Sequence, residues 1–320
     1  MACDGIDFMN KRILLLLLLL LLSQPLAPNL SFAAKIDTFT VSPTSISLPD
    51  QDPDLFPEVS TAADVTAAFS ISKLKSAQNW ILEIYSDGNL VSGSDTIPIA
   101  NVRWTVTGSG TPPPSSLQNG TFSLGVYRET GRGLGDATGK ATVTCYFRFY
   151  LNNLWSYATG NYSKLITLRL TVPAPAGDVL SRTFTLSVNL AARATLEFDS
   201  LTLSFLDSNP DIVPSVPANV NPLSVTSSTR TGSSLTTTLT CLASGDLTSG
   251  SNTIPIGNMS WTATGSGYVA GTMSEATGQA AGSWTASGKR TGTFSYFLAS
   301  SWVYATGVYS TTITYTLTGP

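Results

Sequence analysis

The sequence has no histidine in its 320 residues, and only 12% of them are charged, against a usual share of about 25%. Without imidazole, Ser-His and Cys-His nucleophile pairs and histidine metal sites are excluded. The formal net charge is -3, with no cluster of Lys and Arg, so nucleic acid finds no electrostatic footprint. Cysteine is nearly missing too: Cys3 lies in the leader, leaving Cys145 and Cys241. Alternating neighbours place Cys241 on a buried face, as an inert thiol or as one half of a bridge to Cys145. No window shows a sustained helical period.

Residues 1–33 read as an export signal. Lys11 and Arg12 precede the apolar run Ile13 to Leu22, and Ser31-Phe32-Ala33 supplies small residues for cleavage. A bilayer-spanning helix needs about 20 apolar residues, more than this run has. The expected product starts at Ala34 and is secreted or held at the cell surface, with no membrane span after cleavage.

What the chain does have, it writes twice. Residues 88–110 and 245–267 share Thr-Ile-Pro-Ile and Trp-Thr-x-Thr-Gly-Ser-Gly at an offset of 157, as from Thr96 to Thr253. A second pair, Trp155-Ser-Tyr-Ala-Thr-Gly-Asn-Tyr-Ser163 and Trp302-Val-Tyr-Ala-Thr-Gly-Val-Tyr-Ser310, sits at an offset of 147. Ten extra residues therefore separate the blocks in the first copy. A tandem duplication of one domain follows, with repeats at 34–190 and 191–320, each long enough to bury its own core.

Each repeat is a series of short alternating segments bounded by Gly, Pro, Ser and Asn, the pattern of an all-β sandwich or barrel. Among them are Val65 to Lys73, Trp80 to Tyr85, Ala141 to Tyr150, Leu201 to Phe205 and Met259 to Thr264. Pro98 and Pro255 mark an edge strand or a bend, because proline donates no ladder hydrogen bond. Tyr162 and Tyr309, each two residues after a glycine, fit the tyrosine corner of immunoglobulin-like sandwiches, with Ala158 and Ala305 where an aspartate is common. The expected fold is two tandem immunoglobulin-like antiparallel β-sandwich domains.

The tail Tyr309-Ser-Thr-Thr-Ile-Thr-Tyr-Thr-Leu-Thr318 resembles the last strand of spore coat protein U domains. With Pro320 it also resembles the Trp-x-Leu domains of bacterial surface proteins, although the Trp-x-Leu motif itself is missing. The resemblance implies an exported bacterial β-sandwich of a surface or fibre type.

Few residues offer chemistry. Asp50, Asp52 and Asp54 align with Asp207, Asn209 and Asp211, a spacing that either holds a hard cation such as calcium or forms a solvated turn. The larger duplicated blocks share no carboxylate, which leaves no pair for glycoside cleavage, and no enzyme is expected. Trp104 with Trp261, and Trp155 with Trp302, read as core. Trp80, Trp284, Tyr157 and Tyr304 are the aromatics from which a sugar-stacking platform could be built.

The function expected is a non-catalytic structural or adhesive surface protein, the alternative being a pair of carbohydrate- or cell-wall-binding modules. A possible partner is the chain itself. Residues 182–190 either close the first sandwich or link the repeats, and nothing comparable follows the second. The segment 34–41 is alternating, and head-to-tail strand addition would place it in the next molecule's second sandwich, as the resemblance to spore coat protein U domains also implies. Surface polysaccharide is the other partner class.

Overall fold

A computed structural model describes residues 34–74, 79–111, 120–123, 127–132, 140–172 and 177–319. Residues 1–33, read as an export signal, and Pro320 lie outside the described residues.

Among the described residues the first copy forms thirteen strands: β1 (Lys35–Ser42), β2 (Ser45–Leu48), β3 (Glu58–Ser60), β4 (Val65–Ser72), β5 (Asn79–Ser86), β6 (Leu90–Ser92), β7 (Asp95–Ile97), β8 (Val102–Thr111), β9 (Gly120–Ser123), β10 (Tyr127–Arg132), β11 (Ala141–Asn152), β12 (Gly160–Val172) and β13 (Asp178–Leu190). One sheet runs β1-β4-β11-β8-β9, and the facing sheet runs β10-β5-β12-β13-β2. Alternation explains the layers: on β4, Val65, Ala67, Phe69 and Ile71 point inward, and on β12, Ile166, Leu168, Leu170 and Val172 do, with each of these buried. Trp104 packs edge-on against Phe147 at 5.3 Å, and Phe69 packs against Trp80 at 5.0 Å.

The second copy has β14 (Arg193–Phe198), β15 (Ser215–Pro217), β16 (Leu223–Arg230), β17 (Thr236–Ala243), β18 (Leu247–Ser249), β19 (Asn252–Ile254), β20 (Met259–Thr264), β21 (Gly271–Thr272), β22 (Gln279–Thr285), β23 (Gly288–Ala299) and β24 (Ile313–Thr318). One sheet runs β14-β16-β23-β20-β21 and the other only β22-β17-β24. The two cores share no residue. The fold is all-β, in two immunoglobulin-like antiparallel sandwiches.

The duplication reaches single hydrogen bonds. The Tyr162 hydroxyl donates to the Ala158 carbonyl at 3.0 Å, and Tyr309 to Ala305 at 2.8 Å, closing a tyrosine corner in both copies without the aspartate. Asn101 Nδ2 donates to the Tyr157 hydroxyl and Asn258 Nδ2 to the Tyr304 hydroxyl, both at 2.8 Å. Pro98 and Pro255 each end a short strand and open one 3-10 turn, so both are bends.

Several expectations are corrected. Residues 182–190, read as a closing or a linking strand, lie in β13, paired with β12 from end to end and with β2 in parallel. Leu201 to Phe205 form no strand and make one bridge, Phe205 to Ala218. Trp80, Trp284 and Tyr157 are buried, so they cannot form a sugar platform. Trp302 is 68% exposed, whereas its counterpart Trp155 is 6% exposed. Cys145 and Cys241 are both buried, one in each core, and form no disulfide with each other.

Candidate functional site

The candidate site is the open side of the second sandwich. In the first copy, β12 lies between β5 and β13. Its counterpart β24 pairs with β17 alone, and its other edge carries no strand among the described residues. An unpaired strand edge presents a row of donors and acceptors that another chain can use. Ile313, Tyr315 and Leu317 are only half-buried, whereas Ile166, Leu168 and Leu170 at the same places of the first copy are fully covered.

The missing strand has a second effect. In the first copy β2 pairs only with β13, through Thr185–Ser45, Leu186–Ile46, Ser187–Ser47 and Val188–Leu48. The corresponding residues 202–205 have no such partner and stay irregular. Ile46 and Leu48 are buried, but Leu203 and Phe205 are half-exposed, with Leu201 and Leu206 on the surface. A hydrophobic groove thus runs between β24 and residues 201–206. It is bordered by Leu196, Phe198, Leu203, Phe205, Leu298, Ile313, Tyr315 and Leu317, all partly buried against the second core.

The first sandwich shows what fits. Phe184, Leu186, Val188 and Leu190 of β13 point inward and are buried, and Phe184 meets Phe149 at a ring distance of 5.3 Å. β1 occupies the edge beside β4, with Ile36 and Phe39 in the core. The segment 34–41 is therefore built into its own sandwich, and donating it elsewhere would unmake that edge.

At the floor of the groove, the Tyr296 and Tyr315 hydroxyls hydrogen-bond to each other, and Phe198 lies 4.8 Å from the Tyr315 ring. Burial pushes both tyrosines far above their ordinary range, and burial pushes the Cys241 thiol up to about 11. Groups held neutral in the fold but free to ionise in the unfolded chain give full stability below their unfolded pKa values, about 8.5 for Cys and 10 for Tyr. That stability falls as pH rises towards the folded values. The second sandwich should weaken between about pH 9 and 11, and the double variant Tyr296→Phe with Tyr315→Leu should weaken less. Urea unfolding at pH 8 and 10.5 tests this; equal losses in both proteins would refute it.

The acidic turns meet cations of the protein itself. Asp50 pairs with Arg230 at 2.6 Å, Arg193 lies 3.8 Å from both Asp50 and Asp52, and Asp54 takes Lys289 at 2.8 Å. All three cations belong to the second sandwich, so the first acidic turn, read as a cation site or a solvated turn, forms part of the junction. In the second turn Asn209 Oδ1 accepts the Asp211 amide at 2.9 Å and Asp211 Oδ1 accepts Trp302 Nε1 at 3.2 Å, while Asp207 is exposed. Among the described residues no three Asp, Glu or Cys side chains gather as a metal site requires. Sequence reasoning missed Arg230 altogether. Its only signal was an arginine ending an otherwise neutral strand.

No family model matches the sequence, so the likeness of the tail to spore coat protein U and Trp-x-Leu domains gains no support from one. No curated protein matches it. Among solved structures, the chain is similar to a chaperone and tip adhesion subunit complex of archaic Csu pili from Acinetobacter baumannii, at 11% identity and TM-score 0.30 over 88% of this chain and 99% of that one. It is similar to a chaperone and tip adhesin complex of CFA/I fimbriae at 11% identity and TM-score 0.32, over 89% of this chain and 88% of that one. The CooA pilin subunit of enterotoxigenic Escherichia coli matches at 13% identity and TM-score 0.27, over 50% of this chain and 99% of that one. Scores this low carry nothing into the functional reading, which rests on the chain's own geometry.

Proposed function

We propose that the protein is an exported, non-catalytic surface subunit of two domains, 34–190 and 191–320, whose second domain receives a β-strand from another polypeptide. The carrying observation is internal: the first sandwich contains β13, and the second has the groove that a β13 would fill. The expected leader supports export, and the absence of histidine, together with the lack of a carboxylate shared by the larger duplicated blocks, supports a structural or adhesive role. A donor that reproduces the first sandwich runs antiparallel to β24 and sets four apolar side chains into the groove, as Phe184, Leu186, Val188 and Leu190 do in β13.

The duplication supplies the test. Pro320 aligns with Pro173, so a copy of residues 174–190 placed after Pro320 continues the chain in the register of the first sandwich. Burying four apolar side chains at about 1.5–3 kcal/mol each, less the cost of ordering the strand, should raise the melting temperature of the second sandwich by on the order of 10 °C. The same copy with those four positions changed to serine should raise it little. Equal melting temperatures for the native chain and both extended chains would mean that the sandwich is closed as it stands.

A further inference from the structure

The groove is not the only surface of the second sandwich that its twin keeps covered. The far end of the first sandwich consists of the turn 50–56 and the loop 153–159, and the second sandwich sits on it. Arg230, whose side chain is fully buried, reaches Asp50 at 2.6 Å, the Asn153 Oδ1 at 2.8 Å and the Leu154 carbonyl at 3.2 Å. The Thr159 amide donates to the Thr231 carbonyl at 3.0 Å, and Lys289 and Arg193 complete the contact.

The second sandwich has the same end, turn 207–213 with loop 300–306, folded in the same way. The Asp54 amide donates to Asp52 Oδ1 and the Asp211 amide to Asn209 Oδ1, both at 2.9 Å. The Asn153 amide donates to the Pro57 carbonyl at 2.8 Å, and the Ser300 amide to the Pro214 carbonyl at 2.9 Å. Here Trp302 is bare where Trp155 is covered, Leu206 and Val303 are also more than two-thirds exposed beside Asp207 and Asp211, and Ile212 is exposed like its counterpart Leu55. Apolar surface of this kind rimmed by charge marks a protein contact.

We infer that this end is a second docking surface, separate from the groove, for a β-sandwich domain of another chain that presents two or three Arg or Lys side chains, as Arg193, Arg230 and Lys289 are presented to the first sandwich. The partner would seat its cations on Asp207 and Asp211 and cover Trp302. A second copy of this chain is a poor match in charge. By strand pairing the counterparts of Arg193, Arg230 and Lys289 on its first sandwich are Lys35, Ser72 and Thr142, one cation at those positions where three are needed.

The experiment extends the full chain by a copy of residues 174–320 after Pro320. The added β13 segment reaches the groove, and the added domain brings its own Arg193, Arg230 and Lys289 to the bare end. Hydrogen exchange then reads two places independently. Amides of 206–213 and 300–306 in the middle sandwich should exchange at least about tenfold more slowly than in the native chain. Salt should reverse this protection, since a contact made through charged groups is screened. Asp207→Lys with Asp211→Lys in the middle sandwich should remove the protection there and leave that of β24 intact. Unchanged exchange at the end, or protection indifferent to the charge reversal, overturns the docking surface whatever β24 does. An unprotected β24 counts against the strand-acceptor reading alone. Protection of the end that rises with concentration in the native, unextended chain would make a second copy the occupant and overturn the assignment to another chain.

Discussion

Replacing Trp261 with Ala should destabilise the second sandwich by about 3–5 kcal/mol, the range for truncating a large core aromatic. The ring is 2% exposed, its Nε1 donates to the Val269 carbonyl at 2.8 Å, and Gly271 lies so close that an added Cβ would stand 2.4 Å from Cη2. Truncation therefore leaves a cavity with rigid walls and an acceptor without its donor. Chemical denaturation of the native protein and the variant reads the difference. A loss under about 1 kcal/mol would put the ring at the surface and favour the alternative reading as a carbohydrate-binding module.

Arg230→Met should cost about 3–5 kcal/mol, because removing one partner of a buried ion pair strands the other. Here Asp50, Asn153 Oδ1 and the Leu154 carbonyl all lose a donor at once. Burial alone pulls the guanidinium pKa down, and the neighbouring Asp50 pushes it back, so the charge is tolerated only while the acidic turn is docked. The loss should also uncouple the sandwiches, splitting one denaturation transition into two. A cycle with Asp50→Ala isolates the pair, and a coupling below about 0.5 kcal/mol would make it an ordinary surface contact. Lys289→Ala is the comparison: its partner Asp54 and its own side chain are both partly exposed, and the change should be nearly silent.

Much of the fold was legible because its signals are local. Alternation over four to eight residues placed β4, β5 and β20 to within a residue or two, since a half-buried strand has no other way to order its side chains. The repeated Ala-Thr-Gly-x-Tyr placed both tyrosine corners, whose hydrogen bond spans four residues. Leu201 to Phe205 alternates as well as Ser45 to Leu48 does, yet only the latter forms a strand. A strand needs a partner: β13 comes 140 residues later in the first copy, and among the described residues no strand takes that place in the second.

The residues that define the site were the least legible, for the same reason. Nothing near Trp302 distinguishes it from Trp155, since whether either ring is covered depends on what is docked at that end of the sandwich. The acidic turn reads the same whether it faces calcium, water or arginine. By itself the sequence determined the duplication, the strand content and the corners, all carried by spacings within one repeat. Tertiary structure alone decided which edge is open, which tryptophan is bare and which cation Asp50 meets, because each of these depends on residues more than seventy positions apart being brought together.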